Sequence, residues 1–294
     1  MPTFIKCKHR LIEKKIVSLQ HIESMAQTDN NISDKRIRLT LRFSEGSMSF
    51  SVGDPQADDK IVFETYPVNT GISVAANLRE AFKSSELLLS GYKRAMVLVD
   101  TPVMLVPMDE FHEQDVETLY KHTYKWQRNE DIVSNVLPEL NVVAVFSINK
   151  DLKLVIDDHF EDIRLQPLMQ SVWAHLFRRS FTGNRVKLFA YFHNKRMEVF
   201  RFQQNRFHFS NAYEANSTKN NVYYLLYIWK QLGMNIENDE LYLVGDAPNK
   251  DELTTELQRF LHRVYTINPE TDFHNATLSK RKDIPYDLKA LYLT

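Results

Sequence analysis

Histidine and cysteine are the residues of this sequence with the clearest potential for metal or redox chemistry. Ten histidines are present, but no two stand at the i, i+4 spacing that places two imidazoles on one face of a helix. The one cysteine, Cys7, can neither form an intramolecular disulfide nor build a site of several thiolates. The sequence therefore predicts no metal site, and its cysteine usage is typical of a reducing compartment.

Clustered basic residues are the second candidate, because they could contact the phosphates of a nucleic acid. The chain has 37 basic and 38 acidic residues, so it has no overall field that attracts a polyanion. Nucleic-acid binding is thus an alternative that depends on a local patch, and the cluster beside Phe181 and Phe189 suits it best. The clusters are Lys6, Lys8, His9 and Arg10; Arg178, Arg179, Arg185 and Lys187; and Lys280, Arg281 and Lys282.

The composition of the 294-residue chain is typical of a globular protein with room for two domains. Hydrophobic residues make up 43% of it and aromatic residues 12%. The N-terminus lacks the apolar stretch of a secretory signal, and no window approaches the roughly 18 consecutive apolar residues of a membrane span. We therefore expect a cytoplasmic protein with no membrane partner.

A repeated motif indicates which elements position the candidate residues. Each copy has the pattern of a β-hairpin, two strands around a four-residue turn. A gapless alignment at an offset of 149 residues, from 37 to 186, gives three identities, and similar elements follow each copy, so the chain reads as two copies of one α/β unit. The strands are residues 37–43 and 48–52, then 186–192 and 197–201; the identities pair Leu39 with Leu188, Phe43 with Phe192 and Met48 with Met197.

After each hairpin the sequence predicts a third strand, a helix and an apolar fourth strand. Ser73 is a suitable N-cap for the helix of the first copy, and Gly233 ends the helix of the second. The second copy has the order β-β-β-α-β-α-β. In the first copy we also predict a helix over 109–125, a second hairpin of residues 142–148 and 152–156, and a helix over 165–179. The predicted domains are residues 37–183 and 184–294, after a segment, residues 1–36, whose structure and role the sequence does not predict.

This order of elements resembles the ribonuclease H-like fold, and two such units in tandem resemble the actin-like ATPase superfamily. A second similarity between the copies supports the duplication. In both, the fourth strand is followed by a turn with proline: Leu98-Val-Asp-Thr-Pro102 in the first and Leu243-Val-Gly-Asp-Ala-Pro248 in the second. By overall pattern the chain is identified as a member of a bacterial family of unknown function grouped with that superfamily. The resemblance implies an α/β fold of two tandem ribonuclease H-like domains, each a mixed five-stranded sheet with helices.

The resemblance also implies where a nucleotide would bind. In the superfamily each opening hairpin carries an Asp-Gly turn, whose glycine admits phosphate to the backbone and whose aspartate holds magnesium. Here the turns read Ser44-Glu-Gly-Ser47 and His193-Asn-Lys-Arg196, so both lack the aspartate and the second lacks the glycine. The positions that correspond to phosphate contacts are Ser44, Gly46, Ser47, His193, Lys195 and Arg196.

The adenosine motif of the superfamily is a pair of glycines after the fourth strand of the second half. Val244-Gly-Asp-Ala247 supplies one glycine, Gly245, and Asp246 could accept a hydrogen bond from a ribose hydroxyl. A single glycine at the end of a strand is also a common turn residue. Only seven glycines occur in the chain, which is few for a protein that holds a triphosphate on exposed backbone.

Three functional hypotheses follow. The first is an interaction protein without catalysis or cofactor, or with weak nucleotide binding, whose protein partner is unknown. The second is an ATP-dependent enzyme or switch, with ATP and magnesium between the halves, and the third is a nucleic-acid-binding protein. A two-metal nuclease is disfavoured, because Asp100 and Glu80 suit two of its positions but the first strand of neither copy carries an acid.

Overall fold

The computed structural model describes residues 37–53, 61–204 and 206–294. Residues 1–36, with Cys7 and the first basic cluster, lie outside the described residues. The chain divides into two compact units: one extends to Val97 and includes Leu152–Leu165, and the other consists of Leu98–Asp151 and Gln166–Thr294. The domain boundary near residue 183 comes from the repeated element order and stays a prediction.

Thirteen strands and nine α-helices are found in the described residues. The strands are β1 (Leu39–Ser44), β2 (Ser47–Val52), β3 (Val62–Tyr66), β4 (Arg94–Val99), β5 (Val103–Pro107), β6 (Glu130–Leu137), β7 (Val142–Asn149), β8 (Asp162–Pro167), β9 (Lys187–His193), β10 (Arg196–Gln203), β11 (Arg206–Glu214), β12 (Glu240–Gly245) and β13 (Val264–Thr266). The helices are α1 (Val74–Ser84), α2 (Glu86–Leu89), α3 (Glu113–Thr123), α4 (Lys150–Asp157), α5 (Met169–Ser180), α6 (Thr218–Gln231), α7 (Lys250–Gln258), α8 (Pro269–Asp272) and α9 (Tyr286–Leu293).

Two five-stranded sheets confirm the predicted fold class. Their strand orders are β3-β2-β1-β4-β8 and β11-β10-β9-β12-β13. Each sheet therefore has the third, second, first, fourth and last strands of its series side by side. In the second sheet β10 is antiparallel to β9 and β11, whereas β12 is parallel to β9 and β13, so the sheet is mixed.

The central strands are buried on both faces. Leu39, Leu41 and Phe50 are fully buried on β1 and β2, and so are their polar neighbours Thr40 and Ser51. Side chains of successive strand residues point to opposite faces, so burial of both sets means that both faces of the hairpin are covered. The opening hairpin is thus a fixed frame for its turn.

Side-chain caps set the start of the first two helices, as the sequence predicts for α1. The hydroxyl of Ser73 accepts a hydrogen bond from the N–H of Ala76 and begins α1. The helix ends at Ser84, and Ser85, its C-cap, is also the N-cap of α2. Glu64 on β3 accepts a hydrogen bond from the Ser85 hydroxyl at 2.8 Å, which fixes this break.

The predicted second hairpin is wrong in its second strand. Residues Lys150–Asp157 form helix α4, and its buried side chains, Leu152, Val155 and Ile156, follow the i, i+3, i+4 spacing of one helix face. The first strand of that hairpin exists as β7, but it pairs with β5 and β6 in a three-stranded antiparallel sheet that the sequence analysis did not predict.

Two helix boundaries differ from the prediction as well. The helix expected over 109–125 begins only at Glu113, after a 3₁₀ turn at Met108–Glu110. The helix expected over 165–179 begins at Met169, because β8 takes the residues up to Pro167. A proline disfavours helical geometry in the residue before it, which explains why the helix starts later.

A buried carboxylate holds the C-terminal segment, which lies beyond the repeated series. The side chain of Asp272 on α8 is 2% exposed, and its Oδ2 lies 2.7 Å from Nε2 of His175 and 2.6 Å from the hydroxyl of Tyr286. Arg179 pairs with its other oxygen. Burial alone would raise the pKa of Asp272, but these hydrogen bonds and the charge of Arg179 hold the pKa below its usual value of 3.8.

We predict that Asp272→Asn lowers the free energy of unfolding at neutral pH by about 3 kcal/mol, because it leaves the buried end of Arg179 without its counterion. A depressed pKa stabilises the folded state above the unfolded pKa, and this contribution is lost as the pH falls through the folded value. Urea denaturation from pH 7 to pH 3 should show the gap between variant and wild type narrowing below about pH 4. Asp283→Asn, at an exposed ion pair with Arg281, is the control and should cost less than about 1 kcal/mol. A gap independent of pH would contradict this account.

Candidate functional site

The turn between β1 and β2 is a tight turn with room beside it. Gly46 has a φ of +67°, and a Cβ added there would meet nothing within 4 Å. Positive φ explains the glycine without any ligand. Ser44 and Ser47 flank the turn as a cross-strand pair, and the buried Oγ of Ser47 makes no hydrogen bond. The phosphate role of these three residues stays a prediction.

The turn between β9 and β10 has a different backbone. Its central residues, Asn194 and Lys195, have φ values of 44° and 61°, and His193 lies opposite Arg196 across the strands. Positive φ at both central positions is the signature of a type I′ turn, which glycine usually adopts with less strain. Both central residues here carry side chains, so this turn lacks the bare glycine backbone that phosphate approaches most easily.

Two side chains of this turn, Arg196 and His193, face carboxylates of the same unit. Arg196 lies 3.4 Å from Oδ1 of Asp100 and 3.0 Å from Oε1 of Glu198. His193 Nδ1 lies 3.5 Å from Oδ2 of Asp100, close enough for charge interaction but without hydrogen-bond geometry. The side chains of Asp100 and His193 are each 4% exposed. We call Asp100, His193, Arg196 and Glu198 the buried charge cluster.

Burial dominates the electrostatics of this cluster. It raises the pKa of the Glu198 carboxyl, while the charges of Arg196 and His193 act in the opposite direction and Asp100 adds to the increase. The ring of His193 stacks on that of Tyr191 with the centroids 5.0 Å apart. Both ends of the Arg196 guanidinium therefore already have a carboxyl group as neighbour inside the protein.

Gly245 and Asp246 lie beside the same turn, because β12 is parallel to β9 and Gly245 pairs with Phe192. Gly245 has a φ of +77°, and a Cβ there would lie 2.4 Å from the carbonyl oxygen of Phe192. The N–H of Asp246 donates to that oxygen at 3.0 Å. The glycine is thus explained by the close approach of two strands. The Asp246 charge also acts on Lys250, whose pKa burial lowers and Asp246 raises.

The structure brings five of the eight predicted residues together where β9 and β12 of the second sheet end: His193, Lys195, Arg196, Gly245 and Asp246. The other three lie on the hairpin of the first unit. Sequence reasoning considered Asp100 only as one acid of a disfavoured nuclease site and missed its partners. The available signal was an acid directly after the buried β4, in the segment that echoes the end of β12.

Comparison with models of protein families shows which family the chain belongs to. A model described as a protein of unknown function, DUF3822, matches residues 26–264. The chain belongs to this family. The match ends at the first residue of β13, so it does not include α8 and α9 of this DUF3822 protein.

Solved structures give the fold. A Bacteroides thetaiotaomicron protein with an actin-like ATPase fold and unknown function is 27% identical, with a TM-score of 0.76 over 90% of this chain and 98% of that one. The PilM–PilN type IV pilus biogenesis complex is similar at 13% identity and a TM-score of 0.56, over 87% of this chain and 97% of that one. The DUF3822 protein therefore has an actin-like ATPase fold, as its element order predicts.

A search of curated proteins and an examination of the helices add two further findings. No curated protein has a significant match to the chain. Within the parts of the chain that the structure describes, no helix has the length and apolar character needed to cross a membrane.

The fold family implies that ATP binds where β9 and β12 end, but the residues there do not fit its polyphosphate. Arg196 is paired with Asp100 and Glu198, which leaves the exposed Lys195 as the remaining cation of the turn, and the glycine beside it, Gly245, lies close to a carbonyl oxygen. An incoming phosphate would meet two carboxylates in a buried place, where like charges repel strongly. Magnesium has no better place, since no group of three or more His, Cys, Asp and Glu among the described residues could hold a metal ion.

The second basic cluster does not form a free cationic surface either. All four side chains have partners within the same unit, so their charges are largely compensated. The partners are Glu139 for Arg178, Asp272 for Arg179, Glu240 for Arg185, and the carbonyls of Ser180, Thr182 and Arg185 for Lys187. This arrangement gives no support to the nucleic-acid hypothesis.

We predict that Gly245→Ala destabilises the protein by about 3 kcal/mol, because its methyl group would overlap the Phe192 carbonyl in a backbone conformation unfavourable for alanine. Gly233→Ala is the matched control, since Gly233 has a φ of +61° but a Cβ there meets nothing within 4 Å. It should cost about 1 kcal/mol. The measurement is the free energy of unfolding from urea titration. Equal losses for the two variants would show that β12 and β9 do not need this close approach.

Proposed function

We propose that this DUF3822 protein is a non-catalytic interaction protein of the actin-like fold, which acts in the cytoplasm by binding a protein partner. The observation that carries the proposal is the buried charge cluster, in which Arg196 lies between Asp100 and Glu198. In this arrangement the protein supplies its own anions at the turn where the fold family binds phosphate. The single cysteine of the chain supports the reducing compartment.

The energetics of the cluster favour this function over nucleotide binding. A buried charge that loses its partner costs about 3–5 kcal/mol, so a phosphate that displaced Asp100 from Arg196 would leave one carboxylate buried and uncompensated. The phosphate would have to offset that cost in addition to its own desolvation. Binding at this turn is therefore weak unless the cluster opens.

A structural neighbour is consistent with a protein partner. The PilM–PilN type IV pilus biogenesis complex contains a chain of the same fold in an assembly with another protein. Its identity to this chain is 13%, so it supports the fold and the principle that this fold can serve protein binding. It does not indicate which protein this chain binds.

We predict that Mg-ATP at millimolar concentration does not raise the melting temperature of the full chain. A ligand present at one hundred times its dissociation constant would add about 2.7 kcal/mol to the free energy of unfolding, a shift that differential scanning fluorimetry detects easily. ADP, AMP and inorganic phosphate should be equally silent. A shift with Mg-ATP that depends on its concentration would instead establish the ATP-dependent enzyme or switch.

We further predict that Asp100→Asn lowers the free energy of unfolding by about 3 kcal/mol, because it removes a buried counterion from Arg196 and His193. Asp109→Asn is the control, since Asp109 is exposed, and it should change stability by less than about 0.5 kcal/mol. Urea denaturation of the three proteins measures the difference. If Asp100→Asn is as stable as wild type, the cluster does not bind its own cations tightly, and the main argument against nucleotide binding fails.

A further inference from the structure

Strand β11 is the outer strand of the second sheet, and it has features of an interaction edge. It is nine residues long and pairs only with β10 among the described strands. Its sequence, RFHFSNAYE, contains no lysine and no proline, the residues with which proteins usually protect an edge strand. The side chains of His208, Ser210, Asn211 and Ala212 are exposed.

The outer part of β11 is regular. The register with β10 shifts between Arg201 and Phe202, where Phe209 and Phe207 are the partners, so the irregularity is confined to His208. From Phe209 to Glu214 the pairing is continuous. No other described strand lies beside this run, so it can accept one, and an added strand would replace the hydrogen bond that Oδ1 of Asn211 accepts from the Ala212 N–H at 2.9 Å.

Exposed tyrosine side chains of α6 lie next to Tyr213 of β11. Tyr213 on β11 stacks on Tyr224 of α6 with the ring centroids 4.8 Å apart, and Tyr223 contacts both Tyr224 and Tyr227. Tyr223 is 64% exposed and Tyr227 is 50% exposed. Tyrosine is enriched in protein interfaces, where its ring packs and its hydroxyl stays hydrated.

The sequence of β11 is complementary to itself in the antiparallel direction. Its first residues are basic or titratable, Arg206 and His208, and its last residue is acidic, Glu214. Two antiparallel copies place the basic beginning of one strand near the acidic end of the other. A two-fold axis normal to the sheet leaves one residue opposite itself and pairs the others symmetrically about it.

The axis position follows from the side chains. With Asn211 opposite itself, Phe209 lies opposite Tyr213, and both residues pack on the same apolar cluster beside α6. Aromatic pairs across strands are favourable. With Ser210 opposite itself, Phe209 would instead face Asn211, and Tyr213 would face Phe207 across the irregularity at His208. The first register therefore fits better.

We propose that β11 is a dimerisation edge, where a second copy of this chain adds its own β11 in the antiparallel direction with Asn211 on the two-fold axis. The second sheets of the two copies, each of five strands, then form one continuous sheet of ten strands. The exposed tyrosines of α6 flank the new strand pair. This inference goes beyond the proposed function and does not depend on whether a nucleotide binds.

The first test uses charge at the paired positions Ser210 and Ala212, which are exposed and opposite each other in this register. Sedimentation equilibrium of the wild type should show the mass rising with concentration from 34.6 kDa towards twice that value. Ser210→Lys with Ala212→Lys places like charges opposite each other twice and should weaken dimerisation about tenfold. Ser210→Lys with Ala212→Asp should restore it.

Three outcomes would overturn the proposal. They are a wild type that stays at 34.6 kDa at its highest soluble concentration, a double-lysine variant that dimerises as tightly as wild type, and a Lys/Asp variant that dimerises no better than the double-lysine variant. Thermal unfolding of each variant shows that it is folded, so a loss of dimer is not mistaken for a loss of structure.

The second test fixes the register by oxidation. In a Cys7→Ser background, Asn211→Cys places two thiols opposite each other, within the 4.4–6.8 Å between Cα atoms that a disulfide needs. Ser210→Cys is the matched control, because its two thiols lie about 8 Å apart on the diagonal. A covalent dimer for Asn211→Cys alone supports the proposal. Equal crosslinking of both variants, or none for Asn211→Cys, rejects it.

Discussion

A charge buried in a protein must be balanced close by, and this constraint governs the second unit more than any other interaction. Asp100 and Glu198 balance Arg196, and Asp272 balances Arg179. The ammonium group of Lys187, whose pKa burial lowers, is held by three carbonyl oxygens near the end of α5. Two of these pairs join residues far apart in the chain: Asp100 and Arg196 are 96 residues apart, and Arg179 and Asp272 are 93 residues apart.

The same constraint explains the difference between the two copies of the hairpin. Their strands keep the same order and apolar pattern, since both hairpins form the centre of a sheet. Their turns have diverged, one with Gly46 beside open space and the other with two non-glycine residues at positive φ next to the charge cluster. The two copies have thus kept the same strand order, whereas the residues of each turn differ with the side chains around it.

Much of the fold could be predicted from sequence because its signals are local. The hairpins, the Ser73 cap and the order of elements after residue 184 all depend on neighbouring residues. Helix α4 was misread because Leu152, Val155 and Ile156 form a run too short to separate from a strand by hydrophobicity alone. The role of Asp100 escaped prediction for another reason, since its partner Arg196 is 96 residues away along the chain.

The charge cluster also constrains how the protein can evolve. A substitution that freed Arg196 to bind phosphate would have to remove Asp100 or Glu198, and each removal alone leaves a buried charge unbalanced. The type I′ turn would need glycine as well, and that change does nothing for the charges. A phosphate-binding turn at this place would therefore have to evolve through less stable intermediates.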